Sequence, residues 1–199
     1  MPKAYRLLAS LLRAAVEEGS LVRTPCIVKG AGKEQAGELN VPSVAEVEAL
    51  AAATREEYRA MVLLGAWCSL RYGELAALRR KQIDLVHGEV RVRATVTELR
   101  TGERVAAPPK SAAGVRDVSI PPHLVAVMEE HLERHVGPAP DALVFPAPEG
   151  GYLSRVHFRQ RVWLPACQAS GVRYRFHDLC AFRRIRPPVP ALPERRSQS

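Results

Sequence analysis

The stretch Ser69-Leu70-Arg71-Tyr72-Gly73-Glu74-Leu75 decides how this chain is read. It closes residues 58–70, YRAMVLLGAWCSL, which are apolar almost all round as a buried helix is, and it opens a short helical segment from about Glu74 to Arg80. An arginine at such a junction must find an anion or solvent, because a buried unpaired guanidinium is very costly. Two readings follow from the residues. Arg71 forms a structural ion pair with Glu74, or it clamps a phosphate or carboxylate, whose oxygens suit the guanidinium fork.

Working toward the amino terminus, Ser43-Val44-Ala45-Glu46 is a capping box that opens the helix VAEVEALAAAT. Residues 29–42, KGAGKEQAGELNVP, are rich in glycine and charge without periodicity and read as an interdomain linker. Before it, Leu7, Leu8, Leu11, Leu12, Ala15 and Val16 recur at helical spacing from Tyr5 to Glu18, with Gly19 at the expected end. A lone amphipathic helix needs a partner for its stripe, so the chain is expected to start partway through a domain.

Toward the carboxyl terminus the period falls to two. Val90, Val92, Ala94 and Val96 alternate with polar residues, Thr101-Gly102 supplies a turn, Pro108-Pro109 interrupts pairing, and Val115 to Ile120 alternates again. A small antiparallel sheet of two or three strands is expected. Pro121-Pro122 opens a helix to about His135, a short apolar segment covers 143–145, and another helix runs from about Ser154 to Ser170. The class is α+β, mainly α. Residues 180–199 hold four prolines within 187–193 and no periodicity, so an unstructured Arg/Pro-rich tail is expected.

The 199 residues are 47% hydrophobic and 25% charged, which excludes collagen, a disordered chain and a disulfide miniprotein. No run approaches the roughly 18 apolar residues of a membrane span, and the start does not read as a signal peptide, so no membrane association and a cytoplasmic location are expected. Cys26, Cys68, Cys167 and Cys180 lie far apart, without metal or redox spacing. The net charge is +8, but residues 173–199 alone hold seven arginines against Asp178 and Glu194. Charge by itself therefore says little about the folded part.

Lys110 sits in a turn, Pro108-Pro109-Lys110-Ser111-Ala112-Ala113-Gly114, where an ammonium either stays solvated or reaches a ligand. His177 follows the basic segment Arg173-Tyr174-Arg175, and its ordinary pKa suits proton transfer. His131 and His135 are one helical turn apart, but no third ligand is indicated and Glu129, Glu130 and Glu133 suggest a solvated face, so no metal or cofactor is expected.

In this order, S-L-R-Y-G-E-L, a hairpin bearing P-P-K-S-A-A-G-V-R, and F-H-D-L resemble the catalytic domain of the tyrosine recombinase (phage integrase) family, particularly its actinobacterial members. The resemblance covers residues 3–179. It implies that 1–28 are the last part of a core-binding domain, 29–42 a linker and 43–179 a catalytic domain whose final helices are missing. It also implies metal-free phosphoryl transfer on double-stranded DNA. A tyrosine forms a 3′-phosphotyrosyl bond and frees a 5′-hydroxyl that later reverses the attack, while two arginines and a histidine surround the phosphate and a lysine serves as general acid. By position Arg71, Lys110 and His177 match the first arginine, the lysine and the first histidine, and Glu74 matches an acidic residue that orients that arginine.

The departures are as specific as the matches. Three residues after His177, where the resemblance calls for the second arginine, stands Cys180, which has no cationic fork. Tyr5, Tyr58, Tyr72, Tyr152 and Tyr174 all precede His177, so no tyrosine holds the nucleophile's place. The expectation is a prophage integrase disrupted after Leu179, recombinational by descent and catalytically inactive. The alternatives are a non-catalytic module that binds DNA phosphates through Arg71, Lys110, His157, Arg159, Arg161, Arg173 and Arg175 and modulates an intact recombinase, and a decayed remnant without activity. Loss of the final helices should also leave the apolar faces of 58–70 and 158–167 partly uncovered.

Overall fold

The computed structural model describes residues 2–31, 41–109 and 111–185, and the chain divides into two compact units between Leu39 and Asn40. The first unit is built on α1 (Pro2–Glu17). It starts three residues before the expected Tyr5, because proline is tolerated in the first helical turn. The Tyr5 hydroxyl accepts from the Val28 backbone N–H at 3.0 Å, folding the segment after the helix back along it. Leu7, Leu8 and Leu11 stay exposed.

The second unit opens with α2 (Val44–Ala53), whose capping box forms as expected. Ser43 Oγ accepts from the Glu46 N–H at 3.2 Å, and Glu46 Oε2 accepts from the Ser43 N–H at 2.7 Å. Next comes α3 (Glu56–Trp67), in which Tyr58 and the run from Ala60 through Ala66 are buried while Arg59 is exposed, as its largely apolar sequence requires. The chain then bends at Ser69, which takes the left-handed conformation with φ of 53°. That bend buries Leu70 and turns Arg71 outward as the first residue before α4 (Tyr72–Ala77).

The alternating region folds as two ladders. β1 (Ile83–Asp84), β2 (Glu89–Val92) and β5 (Arg116–Ser119) form a three-stranded antiparallel sheet in the order β1-β2-β5, with Val90 opposite Val118. β3 (Thr95–Glu98) and β4 (Arg104–Ala107) form a separate hairpin. The single strand expected from Val90 to Val96 is therefore two. Pro108-Pro109 has no N–H to continue the ladder, so the partner strand breaks between β4 and β5, and each half pairs separately.

Then α5 (Pro122–His135) begins at the expected proline and buries Leu124, Met128 and Leu132. His131 corrects the expected solvated face: it is 4% exposed, bonds the Val144 carbonyl through Nε2 at 2.8 Å and stacks on Phe145. Burial lowers its pKa, so the ring is neutral and Nε2 carries the donated proton. Among the described residues no group of three or more metal-ligating side chains occurs, and no helix is long and apolar enough to cross a membrane.

The long helical stretch comprises α6 (Arg155–Phe158), a π turn (Arg159–Trp163) and α7 (Leu164–Ser170), closed by Gly171 at φ 71°. Two short helices follow, α8 (Phe176–Leu179) and α9 (Phe182–Ile185). The boundary expected at Leu179 thus needs correction. Ordered structure continues to residue 185, because Phe182 is 1% exposed and packs edge-on against Trp67 with ring centroids 5.0 Å apart. Residues 186–199 lie outside the described residues. The expected bare face on α3 is also absent, since Leu179 and Phe182 cover it.

Candidate nucleic-acid interface

A groove of about 760 Å³ runs between α4, the β3–β4 hairpin and the helical stretch after Ser154. Its floor is aromatic. Tyr72, Phe158, Trp163 and Phe176 interlock, with Phe176 edge-on to both Phe158 (5.4 Å) and Trp163 (5.2 Å). Polar ends are satisfied: the Tyr72 hydroxyl donates to the Leu153 carbonyl at 3.0 Å, and Trp163 Nε1 donates to the Tyr174 carbonyl at 2.9 Å. Burial pushes the Tyr72 phenol well above its ordinary pKa. A neutral phenol committed to a carbonyl is a packing group rather than a nucleophile.

Two close approaches hold the walls. A Cβ on Gly73 would lie 2.7 Å from the Val96 carbonyl oxygen, so only glycine lets α4 sit this near β3. A Cβ on Gly65 would lie 3.1 Å from the Phe176 ring, so α3 receives that ring through a bare backbone patch and thereby seats α8.

Above the floor the rim is cationic. Arg71 and His177, more than half the chain apart in sequence, line the same groove together with Arg104, Arg155, Arg159 and Arg175. His177 is exposed on α8. Arg175 pairs with Asp178 at 2.8 Å while keeping 85% of its side chain exposed. Glu98 is the acidic side chain among the lining residues and accepts from Ser154 Oγ at 3.2 Å. Arg161 and Arg173 are exposed but do not line the groove. Lys110 lies outside the described residues.

Arg71 keeps 63% of its side chain exposed, and its backbone N–H and Nη1 donate to Glu74 at 2.9 and 3.3 Å. The ion pair and the outward-facing guanidinium therefore coexist. Glu74 also takes both ends of the Arg116 guanidinium at 2.9 Å each. Burial alone would raise the Glu74 carboxyl, but the Arg116 hydrogen bonds, the Arg71 N–H and both positive charges outweigh it and hold the group below its ordinary range.

Cys180 faces this cluster, and its thiol donates to the Leu70 carbonyl at 3.3 Å. Burial, followed by the Glu74 charge, pushes the thiol pKa up to about 11. The residue therefore contributes no charge to the groove at neutral pH.

Sequence reasoning passed over Arg104, Arg155 and Arg116. Arg104 bonds the Tyr152 carbonyl and pairs with Glu149, contacts no local pattern announces. Arg116 is the last residue of P-P-K-S-A-A-G-V-R, yet its partner Glu74 is 42 residues away, and only the ladder of β5 on β2 brings the two together.

No protein-family model matches the sequence. The chain is 42% identical over 146 residues to the prophage phiRv2 integrase of Mycobacterium tuberculosis, covering 72% of this chain and 38% of that protein. It is 31% identical over 182 residues to the integrase of mycobacterium phage D29, covering 89% of this chain and 48% of that protein. It thus spans less than half the length of these two relatives. Among solved structures, the Tn1549 transposon integrase in complex with a circular intermediate DNA superposes with a TM-score of 0.74 at 12% identity, over 90% of this chain and 63% of that one. The lambda integrase bound to DNA gives 0.57 at 18% identity, over 91% and 62%.

Proposed function

The matched part of the chain belongs to the tyrosine recombinase (phage integrase) family and has its catalytic-domain fold, and from that premise we propose that this chain binds duplex DNA of the attachment-site type through the arginine-rimmed groove without cleaving it. The observation that carries the reading is the convergence of Arg71 and His177, with four further arginines, over an aromatic floor. Phosphate neutralisation by such a rim supplies sequence-independent affinity, and guanidinium forks fit non-bridging oxygens. In this reading Arg71 and His177 flank one phosphate, and the family resemblance adds Lys110 to the same set.

The absence of cleavage rests on chemistry rather than on binding. Position 180 supplies a neutral thiol already bonded to the Leu70 carbonyl, so the phosphate loses a charge that in the family develops its stabilising contact in the transition state. Tyr72 is bonded to Leu153, and the Tyr174 hydroxyl donates to Glu46 Oε1 at 3.3 Å. Occupying attachment-type DNA in competition or in company with an intact recombinase is the role this leaves, exercised in the cytoplasm where chromosomal DNA is.

The test is a salt titration of binding to an attachment-site duplex and to a scrambled duplex, beside incubation with nicked attachment-site DNA analysed on a denaturing gel. Salt-dependent binding without a covalent adduct is expected. Failure to bind at low salt overturns the DNA-binding reading, and an adduct overturns the non-cleaving one.

A further inference from the structure

Gly114, just before β5, and Glu74 on α4 meet at one side chain, Arg116. Its Nη1 donates to Glu74 Oε1 and its Nη2 to Glu74 Oε2, both at 2.9 Å, and Nη1 also reaches the Gly114 carbonyl at 3.3 Å. On the other side Glu74 Oε2 accepts from the Arg71 N–H and Oε1 from Arg71 Nη1. Gly114 is clamped in turn, because a Cβ there would stand 2.3 Å from Pro109 Cβ. Pro109 and Gly114 therefore lie against each other, and Gly114 is pinned to Arg116.

Burial grades along this chain of contacts. The Glu74 side chain is 4% exposed, Arg116 30% and Arg71 63%. A carboxylate buried to that degree stays ionised only when its oxygens are paired. Arg116 supplies the fork-to-fork pairing, which fixes the plane of the carboxylate, and the fixed oxygens then hold Arg71 by its backbone and one terminal nitrogen. A long, exposed arginine otherwise loses much rotamer freedom on engaging a ligand.

We propose that Arg116 is a positioning residue. It contacts no phosphate itself and acts through Glu74 to set where the Arg71 guanidinium stands. The proposal rests on Arg71 being a phosphate ligand, as argued above, and deepens that reading. Lysine cannot take its place, since an ammonium makes point contacts and cannot hold both carboxylate oxygens in one plane.

The experiment compares the full chain with R71A, R116Q, R116K and R71A/R116Q. For each, log K for a short DNA duplex of arbitrary sequence is plotted against log salt, and thermal unfolding is recorded in parallel. R71A should flatten the slope by about 1, the loss of one phosphate contact. R116Q and R116K should flatten it by a comparable amount, and the double variant should be no flatter than R71A alone.

A wild-type slope in R116Q with a lowered Tm makes Arg116 merely structural and overturns the proposal. A further loss of about 1 in the double variant makes it a direct phosphate ligand and overturns the proposal equally. Should R116Q fail to fold, E74Q/R116Q removes both partners together, which buried pairs tolerate far better than the loss of one. That variant must still lose the Arg71 contact, and a wild-type slope in it refutes the positioning role. R71A without effect on the slope brings down the phosphate-ligand reading itself, an outcome distinct from a failure confined to the Arg116 variants.

Discussion

The Arg116 guanidinium and the Glu74 carboxylate meet fork to fork, both contacts at 2.9 Å, beneath an arginine that faces the groove. Burial of Glu74 works against its ionisation, and the Arg116 hydrogen bonds with the Arg71 N–H reverse the balance, so its pKa in the folded chain lies below the ordinary 4.5. A depressed carboxyl pKa adds stability above the unfolded value and loses it as pH falls through the folded one. Urea unfolding between about pH 3 and 6 should show the wild type losing stability toward acid more steeply than Glu74→Gln. Parallel acid limbs would remove Glu74 from the account.

Gly73 predicts a purely steric effect. Gly73→Ala puts a methyl 2.7 Å from the Val96 carbonyl oxygen and 2.5 Å from Thr95 Oγ1, and the backbone atom cannot give way without moving β3. Overpacking of this kind costs about 1–3 kcal/mol, read as a lowered urea midpoint. DNA affinity should fall with it, since β3 forms a wall of the groove.

Phe182 tests whether structure beyond Cys180 belongs to the core. Phe182→Ala removes a ring that is 1% exposed and packed on Trp67, and should cost about 3–5 kcal/mol in equilibrium unfolding. A change below about 1 kcal/mol would mean that α9 is an appendage.

Cys180 governs the alkaline side. Its thiol is held up to about 11 in the folded chain against an ordinary 9.0, so the folded state binds more protons between these values and stability falls as pH rises through them. Cys180→Ser should show a shallower loss in urea unfolding from about pH 8.5 to 10.5. In the native wild type at about pH 8, Cys180 should also react with thiol reagents far more slowly than after unfolding.

What the sequence made legible was local or periodic. The capping box at Ser43 and Glu46, the start of α5 at Pro122 and the buried α3 all follow from residues within one or two turns of each other. The split of one expected strand into β2 and β3 was hidden because alternation runs unbroken through Arg93, and the decision lies with prolines in the partner segment. α9 was hidden by composition, since one buried phenylalanine among arginines has no period. At the groove, Arg71, Arg159, Arg175 and His177 were singled out from sequence and line it, whereas Arg104 and Arg155 owe their place to tertiary packing.

The π turn at Arg159–Trp163 carries a consequence for chimaeras. A π turn has the form of a single residue added to an α-helix, and it advances everything downstream by about 100° around the axis. Here that phase puts Arg155 and Arg159 on the groove while Ala166 and Cys167 are buried, with α7 against α2. Deleting one residue from 159–163 would restore an even helix and swing the downstream half out of phase, pulling the Trp163 indole off the Tyr174 carbonyl. A hybrid joined to an integrase that lacks the turn must therefore be spliced by helical phase, with one residue added or dropped, because residue-for-residue counting would exchange the wetted and packed faces of the same helix.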